Sequence, residues 1–287
     1  MRYDVPRLAL LLVTLPLAAL LCDAPNVWQP LVKREVPRVV HVHNMWDQKV
    51  PYATGLAWQR QLHAQRVEVT RGAKDRMPHD SILVLQHHPV LTLGTRSTLT
   101  NLKTKNPPFE LFRTERGGEV TYHGPGQLVV YPILDLRAYC QDLHWYMSAL
   151  EESVIRTLGS LGIEGTRIAG RTGVWVDGAK VCAMGVRVTR WITMHGLALN
   201  VNPDLSHFDH IVPCGIGDAP VTSLAVLAGS DMHEIVCSME FVQAELLRNL
   251  ADVFDIQLEH LDALETHDVT HDIPLPTNTY DTLSLHD

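Results

Sequence analysis

The chain has 287 residues, of which 46% are hydrophobic and 20% are charged, so disorder over most of its length is excluded. Its net charge of -8 lacks the basic surplus that a general nucleic-acid binder needs. The five cysteines are widely separated and include no C-x-x-C pair, which disfavours a disulfide framework or a structural zinc site and indicates reduced thiols.

The N-terminus has the pattern of a targeting segment. An apolar run from Leu8 to Leu21 follows two arginines and is interrupted by Pro16. It is shorter than the roughly 20 residues that a membrane-spanning helix requires. We therefore expect residues 1–35 to be a targeting segment outside the fold, without stable membrane insertion.

The predicted elements then follow in consecutive runs. Strands are predicted at residues 38–43, 81–86, 90–93, 119–122, 127–136, 173–176, 179–188 and 193–201, and helices at 52–67, 143–161 and 238–254. Asp177-Gly178 predicts a two-residue hairpin turn. Residues 263–287 are turn-rich and acidic, which indicates a loosely held tail. The pattern favours one α+β domain over residues 36–262.

Four glycines lie among polar side chains at residues 116–127, RGGEVTYHGPGQ. Glycine permits close backbone approach to a ligand and backbone angles that are closed to other residues. The segment therefore predicts either a ligand-binding loop or a tight turn between strands. It matches neither the dinucleotide fingerprint nor the phosphate loop, so it does not indicate nucleotide binding.

A lysine lies within the apolar strand predicted from GAKVCAMGVRV, residues 178–188. Regular alternation would place Lys180, Cys182 and Met184 on one face, and the other three residues on the opposite face: Val181, Ala183 and Gly185. A buried ammonium group needs a partner or a catalytic task. The alternative is a surface lysine beside a hairpin turn.

Cys214 lies between Pro213 and Gly215 in a turn-rich segment, where its sulfur could face a cavity. The alternative is a small core residue, the commoner role of a lone cysteine. A free thiol is only about 3% ionised at pH 7, and a nearby ammonium that lowers its pKa by about 1.5 units makes thiolate about half of the population. Because thiolates exchange readily with acyl thioesters, we predict that Lys180 and Cys214 meet at a glycine-lined pocket.

Four motifs in this order, RGGEVTYHGPGQ, AKVCAMGVRV, MHGLALNVN and PCG, resemble the octanoyltransferases (lipoyl/octanoyl transferases) of lipoic acid biosynthesis. The resemblance covers about residues 38–260. It implies the α+β, mixed-sheet catalytic domain shared with biotin– and lipoate–protein ligases, with no metal or nucleotide required. It also implies an acyltransferase that takes an octanoyl group from octanoyl-acyl carrier protein onto a cysteine, then passes it to a specific lysine of a lipoyl domain.

The resemblance assigns roles to individual residues. Cys214 is implied as the nucleophile and Lys180 as the residue that lowers its pKa and handles protons. The implied substrate-binding residues are Arg116, Gly117, Gly118, Glu119, Val120, Thr121, Tyr122, His123, Ala183, Met184, Gly185, Gly196, Leu197 and Ala198. The implied partners are octanoyl-acyl carrier protein, the lipoyl domains of 2-oxoacid dehydrogenases and the glycine cleavage H protein.

Other functions stay open from the residues alone. They are an ATP-dependent lipoate or acyl–protein ligase, a thioesterase, a non-catalytic binder of acylated carrier domains, and a metal site formed by Cys182, His195 and Cys214. Spacing gives the metal site little support. The leading segment, together with the family's lipoylated partners, predicts a mitochondrial location, with the plastid as the alternative.

Overall fold

The computed structural model describes residues 29–31, 33–70, 79–104, 106–212, 220–228 and 233–261. The strands are β1 (Arg38–Val50), β2 (Asp80–His87), β3 (Val90–Leu93), β4 (Glu110–Arg113), β5 (Thr121–His123), β6 (Gln127–Ile133), β7 (Thr166–Ile168), β8 (Arg171–Val176), β9 (Ala179–Thr189), β10 (Ile192–Asn200) and β11 (Ile256–His260). The α-helices are α1 (Tyr52–Thr70), α2 (Leu143–Ser160), α3 (Leu224–Leu227), α4 (His233–Cys237) and α5 (Met239–Phe254). The predicted tail, Cys214 and most of the predicted targeting segment lie outside the described residues.

The strands form an eight-stranded mixed sheet and a three-stranded sheet. The order across the large sheet is β11-β1-β2-β6-β10-β9-β8-β7, and across the small sheet β4-β3-β5. In the large sheet β1 runs parallel to β11 and β2, whereas the other neighbouring pairs are antiparallel. This mixed sheet with helices packed on it confirms the predicted α+β fold class.

Helices cover both faces of the large sheet. Helices α2 and α5 pack together against one face, and α1 covers the other face with Trp58 and Leu62. Strands β2 and β6 are therefore buried along their whole length, which explains their nearly continuous apolar sequences. Burial of each large apolar side chain stabilises the fold by about 1.5–3 kcal/mol.

Helix α2 begins and ends where its sequence predicts. The Asp142 Oδ1 accepts hydrogen bonds from the backbone N–H groups of His144 (2.7 Å) and Trp145 (3.2 Å), which caps the first turn. After the last turn, Gly162 takes a φ of +72°, a left-handed angle that favours glycine. The residues at its two ends therefore set the length of the helix. Its N-terminal end reaches the cavity described below.

Strands β4, β7 and β11 were not predicted from the sequence. Each lies at an edge of its sheet, where a short strand needs little apolar sequence to pair. Several predicted strands differ in their bounds, most of all β1, which runs to Val50 rather than ending at residue 43. Strand β5 starts at Thr121 rather than at residue 119, and β6 ends at Ile133 because Leu136–Ala138 forms a 3-10 helix.

Strand β9 contains a bulge that overturns the predicted alternation. Cys182 pairs with Val174, but Lys180 pairs with Trp175, so β9 carries one extra residue relative to β8. Val181 and Cys182 are consequently both buried in the core beside α2 and α5. The prediction that Lys180 and Cys182 share a face is therefore wrong, because the bulge reverses the parity of the strand between them.

The segment next to β1 contacts the domain. The Trp145 Nε1 donates a hydrogen bond to the Gln29 carbonyl oxygen (3.0 Å), and the Arg34 backbone N–H donates to Asp255 Oδ2 (2.9 Å). Packed structure thus begins a few residues before the predicted boundary at residue 36.

Within the described ranges, none of the helices is long and apolar enough to cross a membrane.

The turn between β9 and β10 is a strained version of the turn between β8 and β9. Arg190 and Trp191 take φ angles of +54° and +65°, whereas the first turn places a glycine, Gly178, at the second such position. Two positive φ angles define the type I′ turn, for which Asn-Gly is the favoured sequence.

We expect the double substitution Arg190→Asn with Trp191→Gly to raise the free energy of unfolding by about 1–2 kcal/mol, because it removes two left-handed angles from bulky residues. Chemical denaturation measures the change. The matched substitution Gly178→Ala should lower the free energy of unfolding. If both variants unfold like the parent chain, the turn assignment is wrong.

Candidate active site

A cavity of about 330 Å³ opens between β9, β10, the segment before β5 and the N-terminal end of α2. Lys180 lines it, together with all of the predicted substrate-binding residues except Tyr122. Those lining residues are Arg116, Gly117, Gly118, Glu119, Val120, Thr121, His123, Ala183, Met184, Gly185, Gly196, Leu197 and Ala198. Three segments that are distant in sequence therefore meet at one site.

Tyr122 lies on the other face of β5. Its ring packs against Phe109 and Phe208 under the small sheet, and its hydroxyl lies 2.7 Å from His207 Nδ1. Strand alternation explains the difference, because the side chains of Thr121 and His123 point to the opposite face. Tyr122 supports the wall of the site from behind rather than lining it.

The glycine-rich loop lies flat against β9. The Gly117 N–H donates to the Val186 carbonyl oxygen (2.9 Å), and the Thr95 N–H donates to the Arg116 carbonyl oxygen (3.0 Å). A Cβ atom at Gly185 would lie only 2.9 Å from the Gly117 carbonyl oxygen. The loop can approach this closely because position 185 has no side chain, which is a close-approach role for glycine.

The Arg116 side chain holds the same loop from inside. Its Nη2 donates to the Thr92 carbonyl oxygen (2.9 Å) and to the Thr92 Oγ1 (2.8 Å), and its Nη1 donates to the Gly117 carbonyl oxygen (3.1 Å). The guanidinium is buried yet carries its full charge, so it makes the interior of the cavity electropositive.

Lys180 is buried at the end of the cavity nearest the β8–β9 turn, with 6% of its surface exposed. Its Nζ lies 4.6 Å from the centre of the Trp175 ring, a cation–π distance. The bulge in β9 turns the Lys180 side chain towards the cavity, which Ala183 and Gly185 also line. The lysine is thus a cavity residue and not a surface residue beside a hairpin turn.

The Lys180 backbone is fixed by the chain that follows the segment of Cys214. Its N–H donates to the Pro220 carbonyl oxygen (2.8 Å), and its carbonyl oxygen accepts from the Thr222 N–H (3.0 Å). This pairing is a parallel bridge between Lys180 and Val221. Cys214 itself lies outside the described residues, so its predicted contact with Lys180 stays a prediction.

His195 reaches the cavity because β6 contains a proline. Pro132 has no N–H to donate, and the β6–β10 ladder, regular from Asn200 to Leu197, is interrupted opposite it. His195 takes a φ of +60° there, and its N–H donates to the Gln59 Oε1 of α1 instead (2.9 Å). The irregularity turns the imidazole of His195 towards the site.

A charged cluster lies behind His195. The Glu115 Oε1 lies 2.6 Å from the Arg60 Nη2 and 3.3 Å from the Arg187 Nη1, and its Oε2 lies 3.9 Å from the His195 Nε2. The cluster joins α1, β9 and β10 around the residue that precedes the glycine-rich loop. It therefore stabilises the wall of the cavity.

Burial keeps the histidines of the site neutral. Desolvation lowers the pKa of His87 to about 4, and desolvation together with the neighbouring His87 lowers the pKa of His123 to about 3. The His87 Nδ1 lies 2.8 Å from the Val50 carbonyl oxygen, which only accepts, so the proton is on Nδ1. The His87 Nε2 then accepts from the Tyr131 hydroxyl (2.8 Å).

Sequence reasoning missed several lining residues. Tyr52 and Tyr131 contribute aromatic walls, Leu143 and Met147 come from α2, and Arg171 comes from the start of β8. A tyrosine within the otherwise apolar strand β6 was a usable signal, because a buried hydroxyl needs a partner. The α2 and β8 contributions depend on long-range packing, which the sequence does not reveal.

The structure bears on two further predictions, the reduced state of the cysteines and the possible metal site. Cys182 is a buried core thiol and Cys237 is half-buried, whereas Cys140 is disulfide-bonded, so the expectation of reduced thiols is wrong for Cys140. Among the described residues no group of three or more His, Cys, Asp or Glu side chains is arranged to hold a metal ion.

Comparisons with known proteins identify the family. Residues 51–249 match the family model of the lipoyl protein ligase A/B catalytic domain. The chain is 44% identical over 230 residues to the chloroplastic octanoyltransferase of Arabidopsis thaliana, covering 78% of this chain and 81% of that protein. It is 50% identical over 210 residues to the octanoyltransferase of Gloeobacter violaceus, covering 73% and 89%.

Solved structures share the fold at much lower identity. Lipoate-protein ligase A bound with ATP has a TM-score of 0.62 at 12% identity, covering 86% of this chain and 99% of that one. A bipartite lipoate protein ligase from Thermoplasma acidophilum has a TM-score of 0.61 at 14% identity, covering 83% and 92%. The chain therefore belongs to the lipoyl protein ligase A/B catalytic domain family, in which it is an octanoyltransferase, an acyltransferase of protein lipoylation.

Proposed function

We propose that the octanoyl group passes through a thioester on Cys214, with Lys180 as the cation that activates the sulfur and moves its proton. The observation that carries this proposal is the double backbone hydrogen bond between Lys180 and the chain at Pro220–Thr222. It ties the cavity lysine directly to the chain that follows the Cys214 segment. A binding protein without chemistry has no need of a buried ammonium beside such a segment.

The other end of the Cys214 segment supports the same arrangement. The Val212 N–H donates to the Asn101 carbonyl oxygen (2.8 Å), and Cys214 follows two residues later. An extended chain spans at most about 3.6 Å per residue, so this anchor restricts the reach of the sulfur. The anchor at Pro220–Thr222 is formed with Lys180, which lines the cavity.

The cavity suits a short acyl chain. Its volume of about 330 Å³ falls in the range of small-molecule sites, and Val120, Met184, Leu197 and Ala198 supply an apolar lining. Arg116 and Lys180 supply positive charge near the reacting thioester. We propose octanoyl-acyl carrier protein as the donor, with the exposed Arg96 and the cavity residue Arg171 meeting its acidic surface.

The chemistry requires two displacement steps. In the first, the Cys214 thiolate attacks the octanoyl carbonyl carbon, the carbon–sulfur bond to the carrier breaks, and the carrier thiolate takes the proton held by Lys180. In the second, an acceptor amine forms a carbon–nitrogen bond to the same carbon, the bond to Cys214 breaks, and Lys180 passes the amine's proton to the sulfur. We propose that the acceptor is a lysine of the lipoyl domains of 2-oxoacid dehydrogenases and the glycine cleavage H protein.

Intact-mass analysis tests the thioester. After incubation with octanoyl-carrier protein and no acceptor, we expect one octanoyl adduct that hydroxylamine removes. Cys214→Ala should abolish the adduct, and Lys180→Met should slow its formation at least about tenfold by raising the pKa of the thiol. Cys237→Ala is the matched control and should load normally. Full transfer activity in Cys214→Ser would contradict the proposal and favour ligase chemistry.

The close approach at Gly185 gives a second prediction. Gly185→Ala should lower kcat/KM for octanoyl transfer at least about tenfold, because the added Cβ displaces the Gly117 carbonyl and the loop that lines the cavity. The steady-state rate with a lipoyl-domain acceptor is the measurement. Gly159→Ala on α2, where a Cβ meets nothing within 4 Å, should keep full activity. Equal rates for the two variants would count against the loop assignment.

For the location we favour the plastid over the mitochondrion. The support is the chloroplastic relative from Arabidopsis thaliana. Residues 1–35, fused to a fluorescent protein, should direct it to plastids of a photosynthetic cell. Fluorescence that coincides with a mitochondrial dye would instead restore the original prediction.

A further inference from the structure

His123 lies at one end of a continuous buried hydrogen-bond chain. Its Nδ1 lies 2.8 Å from the Gln127 Oε1, and the Gln127 Nε2 donates to the Asn200 Oδ1 (2.9 Å). The Asn200 Nδ2 then donates to the Thr222 carbonyl oxygen (2.9 Å), and the Thr222 N–H donates to the Lys180 carbonyl oxygen (3.0 Å). The chain thus links two cavity residues through the interior.

Backbone carbonyls fix the direction of every bond in this chain. A carbonyl oxygen only accepts, so the Thr222 carbonyl requires the amide nitrogen of Asn200 on its side and leaves Oδ1 facing Gln127. The Gln127 Nε2 also donates to the Tyr122 carbonyl oxygen (3.3 Å), which leaves Oε1 facing His123. The proton of His123 is therefore on Nδ1, and its Nε2 carries a lone pair.

That lone pair is available to a ligand. His123 lines the cavity, and its Nε2 has no hydrogen-bond partner within the described part of the chain. The ring is held by Tyr52, which stacks on it with centroids 6.2 Å apart at 9°, and by His87, edge-on at 5.9 Å. The acceptor atom is consequently presented in a fixed direction.

The surrounding groups offer mainly donors. Arg116 and Lys180 carry only N–H donors, and the Glu119 carboxylate lies near the Arg96 guanidinium, with Oε1 4.0 Å from Nε. An acyl thioester carries a carbonyl acceptor and brings no donor of its own. A primary amine is the reactant that brings N–H groups to the reacting carbon.

We propose that His123 accepts a hydrogen bond from the attacking amine of the acceptor lysine and orients its lone pair towards the acyl carbon. Gln127 and Asn200 are positioning residues that hold His123 in the required tautomer. This rests on the proposed acyl-thioester step. The amine's proton still goes to the Cys214 sulfur through Lys180, so His123 binds the nucleophile without being protonated.

Measuring the rates of the two half-reactions separately tests the role of His123. In His123→Ala, octanoyl loading from carrier protein should proceed within about twofold of the parent rate, whereas single-turnover transfer from the loaded enzyme to a lipoyl domain should fall at least about tenfold. The exposed His88→Ala should leave both rates unchanged. Loss of loading and transfer together, or normal transfer, would overturn the inference.

The pH dependence of the transfer step tests the tautomer of His123. A purely structural role of Gln127 would not change that pH dependence. In Gln127→Glu, a carboxylate next to Nδ1 raises the pKa of His123, so imidazolium persists to higher pH and Nε2 becomes a donor. The acid limb of the transfer step should therefore shift to higher pH by on the order of one unit from its place in the parent, where the pKa of His123 is about 3.

A third variant keeps the test decisive if Gln127→Glu folds poorly. Gln127→Met keeps the volume of the side chain but removes the acceptor that holds the His123 proton on Nδ1. Transfer should therefore slow without a shift in its pH profile. An unshifted limb in Gln127→Glu, with loading and unfolding like the parent, would refute the tautomer argument. Absence of any acyl-enzyme in the parent chain would refute the thioester step instead.

Discussion

The site depends on the contact between the glycine-rich loop and strand β9. The Gly117 N–H bonds the Val186 carbonyl oxygen, and position 185 leaves no room for a Cβ atom beneath the loop. Backbone lying directly on backbone leaves the space in front of it open for a ligand. The buried Arg116 guanidinium then closes the loop on Thr92, so one contact sets both the shape and the charge of the cavity.

Burial divides the polar groups of the cavity into two kinds. Arg116 remains charged because its intrinsic basicity exceeds what desolvation can remove. The imidazole of His123 does not, since desolvation lowers its pKa to about 3. The cavity thus combines permanent positive charge with neutral acceptors, which suits an enzyme that must hold a carbonyl oxygen and an uncharged amine at the same carbon.

Motifs predicted the site better than periodicity did. Three of the four motif segments supply more than half of the residues that line the cavity, because glycine and polar residues inside strands are unusual enough to mark a site. Strand alternation placed Lys180 with Cys182, and the bulge in β9 made that wrong. The sequence could not reveal the bulge, since an extra residue is visible only against its partner strand. His195 likewise depends on Pro132, a residue of the neighbouring strand β6.

The edge strands were beyond prediction for a different reason. Strands β4, β7 and β11 carry few apolar residues and are held by pairing with a neighbour that is distant in sequence. Tertiary contact overrides weak local preference at such positions. The central strands and the long helices, whose burial is set by their own residues, could be read directly.

The extra residue in β9 makes the length of that strand as important as its chemistry. Counted from the turn at Asp177-Gly178, Lys180 reaches the cavity only because one surplus residue stands between it and Ala183. A one-residue deletion there would leave the sequence motif recognisable. It would nevertheless turn the Lys180 ammonium to the other face of the sheet, into the apolar core. Side chains along β9 can therefore be exchanged more freely than the strand can be shortened, because the length of the strand decides which face of the sheet Lys180 takes.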